Sequence, residues 1–418
     1  VVDRLIDREV PLETTIAVVQ SLRTRYGITR IADTTRLDRI GIPTVSAIVP
    51  NSPDGLGVYN GIGLTREAAL AGALMEAIER QICARFEGVN VFDARLTEVD
   101  RVLDLRSLGW IGAIEDASAS AVVGCVRGIN LLDWSPVDVP VGAVRCPRIG
   151  ERFFQHTSTN GLASGNTWNE AVYHALMELV ERHLWSRVHV LSHIWPRTLR
   201  ARLGKLDLPD DPVAYEVIDA LDNPVLAPSV RPILEAGLRF RLLTYSELGW
   251  PCAMMACIVD PAGDGLFYHL GFGCSWSPLH AAIRAITEAV QVRVTDIQGA
   301  REDIKRAGDV LVRDLDHGRR PASFPIGGRW YYDGPALPLR LIDLSNDSRG
   351  TLTADIAQTL EVMDHWGETC VACVDLTPTD LPLRVVRIVA PHLERTLVDG
   401  TISGRLSTFL DNPLASIR

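Results

Sequence analysis

The chain has 418 residues, a formal net charge of −10, and 47% hydrophobic and 22% charged residues. That length supports a large core or several subdomains, and the acidic balance excludes broad nucleic-acid binding, which needs a basic surface. No stretch approaches the ~18 apolar residues of a membrane span, and the N-terminal region carries Asp3, Arg4, Asp7, Arg8 and Glu9 in place of a secretory apolar segment. A cytoplasmic protein with no membrane and no nucleic-acid partner is expected. Its eight cysteines suit a reducing compartment.

In chain order, Thr44–Val49 and Gly57–Asn60 read as strands, followed by a Gly61-Ile62-Gly63 turn and a helix capped by Thr65 that runs to about Phe86. Phe153–Thr159 reads as the next strand, leading through Gly165 and Asn166 to a helix opened by the capping-box sequence Thr167-x-x-Glu170. Trp195–Leu238, with its Leu208-Pro209-Asp210-Asp211-Pro212 cluster, reads as an inserted lobe. Leu266–Gly271 reads as a third strand, and Ser277-Pro278 places an N-cap and a first-turn proline at the start of a third helix. Lys305–Pro338 reads as exposed connection. The sole CxxC, Cys370 to Cys373, falls in a strand-like run over Thr369–Leu376, where residues three apart face opposite sides. With no second CxxC or paired His, buried core thiols are expected there rather than zinc. Leu383–Val389 reads as a final strand. The recurring unit of strand, Gly-rich turn and capped helix predicts an α/β (α+β) core with internal pseudo-symmetry. One interdigitated domain is expected over 1–418, with 305–418 completing the fold.

The three helices share a register. Counting from each cap (Thr65, Thr167, Ser277), the eighth residue is Ala73, Ala175 or Ala285. The eleventh is Glu76, Glu178 or Glu288, and the fourteenth is Glu79, Glu181 or Gln291. These acidic positions share one helix face, and their neighbours are mostly apolar, which puts the carboxylates on largely buried helices. For one helix alone, solvated glutamates paired with Arg80 or Arg182 would be the plainer reading. Threefold repetition favours a shared polar site, since a buried charge requires a cation or several donors. Mg2+ suits such a site, because it takes hard oxygen ligands and bridges carboxylates to phosphates. Arg182 and Arg284 offer forks for phosphate oxygens, and Asn166 with helix-start N–H groups adds donors for an anion. Glu170 divides between a capping and a ligand role, and His174 reads as a packed histidine. No GxxxxGK[ST], no dinucleotide GxGxxG and no GxSxG elbow occurs. ATP, if bound, is held by a non-P-loop design, and no residue stands out as a catalytic base or nucleophile.

These segments resemble the YcaO family of ATP-dependent peptide-backbone modifiers. The likeness rests on Gly63-Leu64-Thr65-Arg66-Glu67-Ala68-Ala69 through Met75-Glu76-Ala77-Ile78-Glu79-Arg80, and on Asn160-Gly161-Leu162-Ala163-Ser164-Gly165-Asn166 through Glu178-Leu179-Val180-Glu181-Arg182. It continues in Arg284-Ala285-Ile286-Thr287-Glu288-Ala289-Val290-Gln291-Val292-Arg293 and Gly299-Ala300-Arg301-Glu302-Asp303. The resemblance implies the family's own fold, with 28–304 as an ATP/Mg-binding core. It implies metal roles for Glu76, Glu79, Glu178 and Glu181, and ATP contacts for Asn166, Glu170, Arg182, Arg284 and Glu288. Ile62 departs from the pattern, since many members have Lys between the two glycines.

In such enzymes a substrate amide oxygen is phosphorylated, a nucleophile adds to the amide carbon, and phosphate departs. A neighbouring Cys, Ser or Thr gives an azoline, sulfide a thioamide, and an amine an amidine. The C-terminal Asp411–Arg418 lacks the Pro-rich tail of many azoline-forming members, and the segment Gly27 to Pro43 resembles the stand-alone branch that works with TfuA-like partners. Thioamide formation on a peptide or protein substrate is therefore expected, with a TfuA-like partner or sulfur donor. The alternatives are an azoline- or amidine-forming cyclodehydratase of a ribosomally made peptide pathway, a non-catalytic ATP-binding accessory protein, which Ile62 keeps in play, and a structural interaction module. About sixty residues precede the first motif, so little room is expected for a separate leader-binding domain. A homodimer is left open.

Overall fold

A glycine-bearing strand pressed against an alanine-rich helix recurs three times and sets the architecture. The computed structural model describes residues 8–110, 121–147, 154, 158–189, 214–245, 250–261, 268–301, 334–396 and 402–403. In the first unit β3 (Val58–Ile62) leads into α2 (Arg66–Arg85); in the second β7 (Leu162–Gly165) leads into α5 (Trp168–His189); in the third β11 (Tyr268–Ser275) leads into α7 (Pro278–Gln298).

Each of these strands is the end strand of its own sheet. β3 closes a three-stranded antiparallel sheet with β1 (Arg30–Asp33) and β2 (Thr44–Ile48), in order β1-β2-β3. β7 ends a sheet of order β4-β5-β13-β14-β7, built with β4 (Phe92–Arg95), β5 (Val122–Asn130), β13 (Ala372–Asp375) and β14 (Arg384–Val389), while β6 (Pro136–Pro140) pairs with β5. β11 starts a sheet of order β11-β10-β9-β8-β12, with β8 (Tyr215–Val217), β9 (Arg239–Thr244), β10 (Cys252–Val259) and β12 (Leu337–Leu339). All of its pairs are antiparallel except β8 with β12. Each helix then packs on its own strand and on the strand of the next unit: α2 on β3 and β7, α5 on β7 and β11, α7 on β11 and β3. The three units thus close into a ring.

The glycines of the repeat lie in the strands, which corrects the reading of Gly61 as a turn residue and extends the third strand beyond its expected end at Gly271. Gly61 lies in β3, Gly165 ends β7, and Gly271 and Gly273 lie in β11. Their purpose is close approach. A Cβ on Gly61 would sit 2.1 Å from Ala69 O and from Ala73 N; one on Gly271 would sit 2.0 Å from Ala289 N; one on Gly273 would sit 2.2 Å from Ala281 O. The alanines at the eighth position after each cap, Ala73, Ala175 and Ala285, are the buried counterparts on the helices. A helix this near its strand can set side chains of the following turns over the strand's far end.

Helix boundaries follow the expected caps. Thr65 accepts from Ala68 N at 3.1 Å, and Phe86 ends α2 in a left-handed conformation. Pro278 occupies the first turn of α7, and Gly299 closes it at φ 58°. Of the strand expected at Phe153–Thr159, residues 153 and 155–157 lie outside the described residues and Phe154 forms an isolated bridge with Trp110; the strand that leads into α5 is β7. Gly161, at φ 81°, makes the turn into β7, and its missing Cβ would meet Ile388 O at 2.3 Å. Residues 214–238, expected within an inserted lobe, supply β8 and α6 (Ala227–Glu235), integral to the five-stranded sheet. Residues 190–213, the connection 305–333 and the C-terminal Asp411–Arg418 lie outside the described residues. From the C-terminal part, β12 joins the five-stranded sheet, and β13 and β14 join β5 to β7. Cys370 and Cys373 are buried free thiols in two different cores, one containing α2 residues and the other α5 residues, as opposite-facing positions require. Among the described residues no helix is long and apolar enough to cross a membrane.

The β3–α2 contact gives a pair of opposed outcomes. Gly61→Ala forces backbone apart and is expected to cost about 2–3 kcal/mol. Gly72→Ala, whose Cβ would meet Gly61 Cα at an ordinary 3.5 Å, is expected to gain about 1 kcal/mol of helix propensity. Urea denaturation of the two variants reads both signs.

Candidate functional site

The ring brings the repeated acidic positions to its centre with a consistent division of labour. Each eleventh-position glutamate accepts a backbone N–H from its own unit: Glu76 from Asn60, Glu178 from Gly161 at 3.1 Å, and Glu288 from Phe272. The fourteenth position reaches across to the next unit. Glu79 accepts from Ser164 Oγ at 2.8 Å, and the Gln291 amide donates to the Asn60 carbonyl. Glu181 follows the same direction, lying in electrostatic reach of Cys274 in β11. The amide at position 291 is therefore a tie that holds α7 to β3. It belongs to a buried network in which Asn60 Nδ2 donates to Thr295 Oγ1 at 2.9 Å and Ser46 Oγ donates to Asn60 Oδ1 at 2.6 Å.

The carboxylates feel one another. Burial is the main cause that raises Glu79, and the charges of Glu76 and Glu178 add to it, so its carboxyl is pushed up to about 8 despite the Ser164 hydroxyl. Burial also raises Glu288, to about 7, with Glu181 adding and Arg182 and Arg284 opposing. Glu76, Glu178 and Glu181 are raised by burial too, against the opposing charges of Arg301 and Arg80, of Arg182, and of Arg182 and Arg284 respectively. Five acidic side chains from three helices thus form one connected field, and every one is harder to ionise than in water. The arginines meet part of the charge. Arg182 Nη2 lies 3.5 Å from Glu181 Oε1 and stacks over the Phe272 ring at 5.5 Å, with 39% of its side chain exposed at the edge of the cluster.

Three supports gain their role only through tertiary pairing. Arg80 donates through Nε to Asp54 Oδ2 at 2.7 Å, with side chains 15% and 1% exposed, so it is a fixed partner rather than a surface bridge. Burial alone would raise Asp54, but Ser52, Tyr59 and Arg80 hydrogen bonds hold it below the usual range. Arg387 of β14, anchored to Ser158 O at 2.8 Å, adds a positive charge acting on Glu178. Arg301 acts in the same way on Glu76. Arg80 and Arg301 stand in segments that carry the resemblance; Asp54 and Arg387 are brought in by tertiary pairing alone.

Asn166 and Glu170 are placed differently from the other candidates. Asn166 N and Nδ2 both donate to Glu170 Oε2 at 2.7 Å, while Glu9 N and Val10 N donate to Oε1 at 2.6 and 3.0 Å. Four donors saturate the carboxylate, so in this conformation Glu170 anchors the N-terminal segment instead of presenting a free ligand. The capping box is half made: Glu170 N donates to Thr167 Oγ1 at 3.2 Å, but the carboxylate turns to Asn166. Thr167 Oγ1 and Asn169 Nδ2 donate to the Glu9 carboxylate at 2.5 and 3.0 Å. These groups lie about 12 Å along α5 from Glu178. Ile62, at the position where Lys is common in the resembled family, packs partly buried against the core around α7. His174 is partly buried on the same helix.

The donor set fits a divalent cation with a polyphosphate. Among the described residues no three acidic, imidazole or thiol groups close around one point as a complete metal cage. Glu76 with Glu79, and Glu178 with Glu181, instead form acidic pairs on adjacent helices. Mg2+ is commonly held this way, by one or two carboxylates, waters and phosphate oxygens. A cation here would relieve the repulsion that raises Glu79, and Arg182 and Arg284 would face the anionic remainder.

The pKa shifts set a sign for stability. A raised carboxyl binds protons in the folded chain that the unfolded chain has lost, so the cation-free fold weakens as pH rises from the ordinary 4.5 through about 8 for Glu79. The melting temperature of the cation-free protein is expected to fall between about pH 6 and about pH 8.5, and to fall less in Glu79→Gln. Thermal melts of both across that range check it.

Comparison with known proteins places the chain by family and fold. Residues 60–394 match the family described as YcaO cyclodehydratase, ATP- and Mg2+-binding. An uncharacterized protein of Methanothermobacter thermautotrophicus is 33% identical over 386 residues, covering 91% of this chain and 93% of its own. A Rhizobium leguminosarum bv. trifolii protein described as lying in the tfuA 3′ region is 31% identical over 410 residues, covering 93% and 89%. The structure of YcaO from Methanopyrus kandleri bound with AMPPCP and Mg2+ superposes with a TM-score of 0.67 at 22% identity, covering 96% of each chain, and so shares the α+β fold. The chain belongs to the YcaO family.

Proposed function

We propose that this protein activates backbone amides of a peptide or protein with ATP and Mg2+, and that the product is a thioamide. The observation that carries the first part is the field of five buried carboxylates on three helices, with Glu79 held to about 8 by burial and by Glu76 and Glu178. Buried acids in that number cost stability unless a cation is part of the working state. MgATP supplies a phosphoryl group to the amide oxygen and turns it into a leaving group. The chain's own task is positioning and neutralisation. Glu76, Glu79, Glu178 and Glu181 would hold Mg2+, while Arg182, Arg284 and Arg301 would balance phosphate charge. The backbone ties from Asn60, Gly161 and Phe272 keep the eleventh-position carboxylates oriented before ligand arrives. Asn166 and Glu170 join the nucleotide only if the Glu9–Val10 contact opens.

Sulfide as the nucleophile is supported by the likeness of the Gly27–Pro43 segment to the TfuA-associated branch and by the 31% identical Rhizobium relative from the tfuA 3′ region. The same relative supports a TfuA-like partner. Sulfide adds to the activated amide carbon, phosphate leaves with the former amide oxygen, and a thioamide remains. Azoline formation is the second reading, favoured by the cyclodehydratase description of the family.

Glu76→Ala and Glu178→Ala are each expected to abolish the MgATP-dependent rise in melting temperature and to lower substrate-dependent ATP cleavage by at least ~100-fold, with circular dichroism unchanged. Full activity in both variants would remove the cradle from the chemistry. Mass spectrometry of a co-expressed peptide separates the products: a gain of about 16 Da marks exchange of oxygen for sulfur, and a loss of about 18 Da marks cyclodehydration.

A further inference from the structure

Of the eight cysteines, seven are buried and Cys146 alone is partly exposed. It follows the short helix α4 (Val141–Val144) in a stretch clamped to the last turn of α2. Arg145 donates to Ala84 O through Nε and Nη2 at 3.1 and 2.9 Å. The Cys146 N–H donates to Cys83 Sγ at 3.3 Å, and the Cys83 thiol donates to Val144 O at 3.5 Å. The two cysteines are therefore held against each other, one open to solvent and one sealed. Cys83 lies one helical turn beyond Glu79 on the same face of α2, within electrostatic reach of Glu79 and Arg387. Cys146 lies within reach of Arg80. A pair in which one thiol is accessible and its neighbour is protected is the layout of a dithiol relay. The remaining cysteines lack it: Cys252 and Cys274 neighbour each other but are both sealed in the core.

We propose that Cys146 and Cys83 form a sulfur-releasing dithiol, which takes sulfane sulfur from a persulfide and frees it as hydrosulfide beside the Glu79 end of the cradle. The inference rests on the thioamide reading, which alone requires sulfur from outside the substrate there. In the first step Cys146 sulfur attacks the sulfane sulfur of a persulfide RS–SH. The donor leaves as RSH, and Cys146 becomes a persulfide. In the second, Cys83 sulfur attacks Cys146 Sγ and breaks the outer S–S bond. A Cys83–Cys146 disulfide forms, and the outer sulfur departs with the Cys83 proton as hydrogen sulfide. An external dithiol then reduces the disulfide, supplying the two electrons that left with the sulfide. Inorganic sulfide bypasses the pair.

The test mixes the reduced full-length protein with glutathione persulfide. The expected result is a burst of about one sulfide per chain, with multiple turnovers on adding a dithiol. Peptide mapping is expected to find a disulfide joining Cys83 to Cys146. Cys146→Ser should abolish the burst while keeping the melting temperature and any product made from inorganic sulfide. Cys83→Ser should leave a persulfide of about 32 Da on the Cys146 peptide and release no burst. A burst of wild-type size from Cys146→Ser, no burst from the wild type, or a disulfide between other cysteines would overturn the proposal. A burst from the wild type with no thioamide from either sulfur source would overturn the thioamide reading and leave the dithiol standing.

Discussion

The centre of this protein depends on carboxylates buried faster than they are neutralised. Three helices carry five acidic side chains into a space where burial raises every one, and the arginines beside them cover part of the charge. Such an arrangement is tolerated because the frame is rigid. Backbone-to-backbone contact between Gly61, Gly271 and Gly273 and the helices leaves no slack for the acids to swing apart. Glycine and glutamate in the repeat are thus one device: the first sets the distance and the second the charge. A divalent cation with an anionic ligand completes the electrostatics that the chain leaves open.

The ring also explains why the repeat needs three copies. Each helix is bonded to its own unit through the eleventh position, and α2 and α7 also bond the next unit's strand through the fourteenth. Two units would leave one helix without a second strand and one strand edge without a cover. The third unit departs at Gln291, which exchanges a carboxylate for an amide that can donate to the Asn60 carbonyl. That substitution makes the ring asymmetric, with acids concentrated on α2 and α5 and a structural tie on α7. Arg284 and Glu288 remain on the α7 side, in reach of Glu181 and Arg182.

Much of this was legible because it is periodic. The acidic register of Glu76, Glu178 and Glu288 and the caps Thr65 and Ser277 are local signals, and each fell where the spacing puts it. Gly61 reads as a turn residue in the sequence and is a strand residue in the fold, because a strand glycine forced into close approach and a turn glycine look alike without knowing what lies opposite. Asp54, Arg301 and Arg387 were invisible as site supports, since each acts through pairings between segments far apart in the chain. Glu170 shows the limit of a local reading. Its place in a motif left it between a cap and a ligand, and Glu9 and Val10, about 160 residues earlier, supply donors to its carboxylate that no local pattern shows. The Cys83–Cys146 contact is of the same kind, set by Arg145 docking on the end of α2 rather than by any cysteine spacing.

The most direct measurement is calorimetric titration of MgATP into the protein near neutral pH in two buffers of different ionisation enthalpy. If the buried acids receive the metal–nucleotide complex, binding strips protons from Glu79 and Glu288, held at about 8 and about 7. The heat should then differ between buffers by a net release of protons, and the release should shrink in Glu79→Gln. Binding with no buffer dependence, or an equal release from Glu79→Gln, would contradict the view that these carboxylates form the cradle.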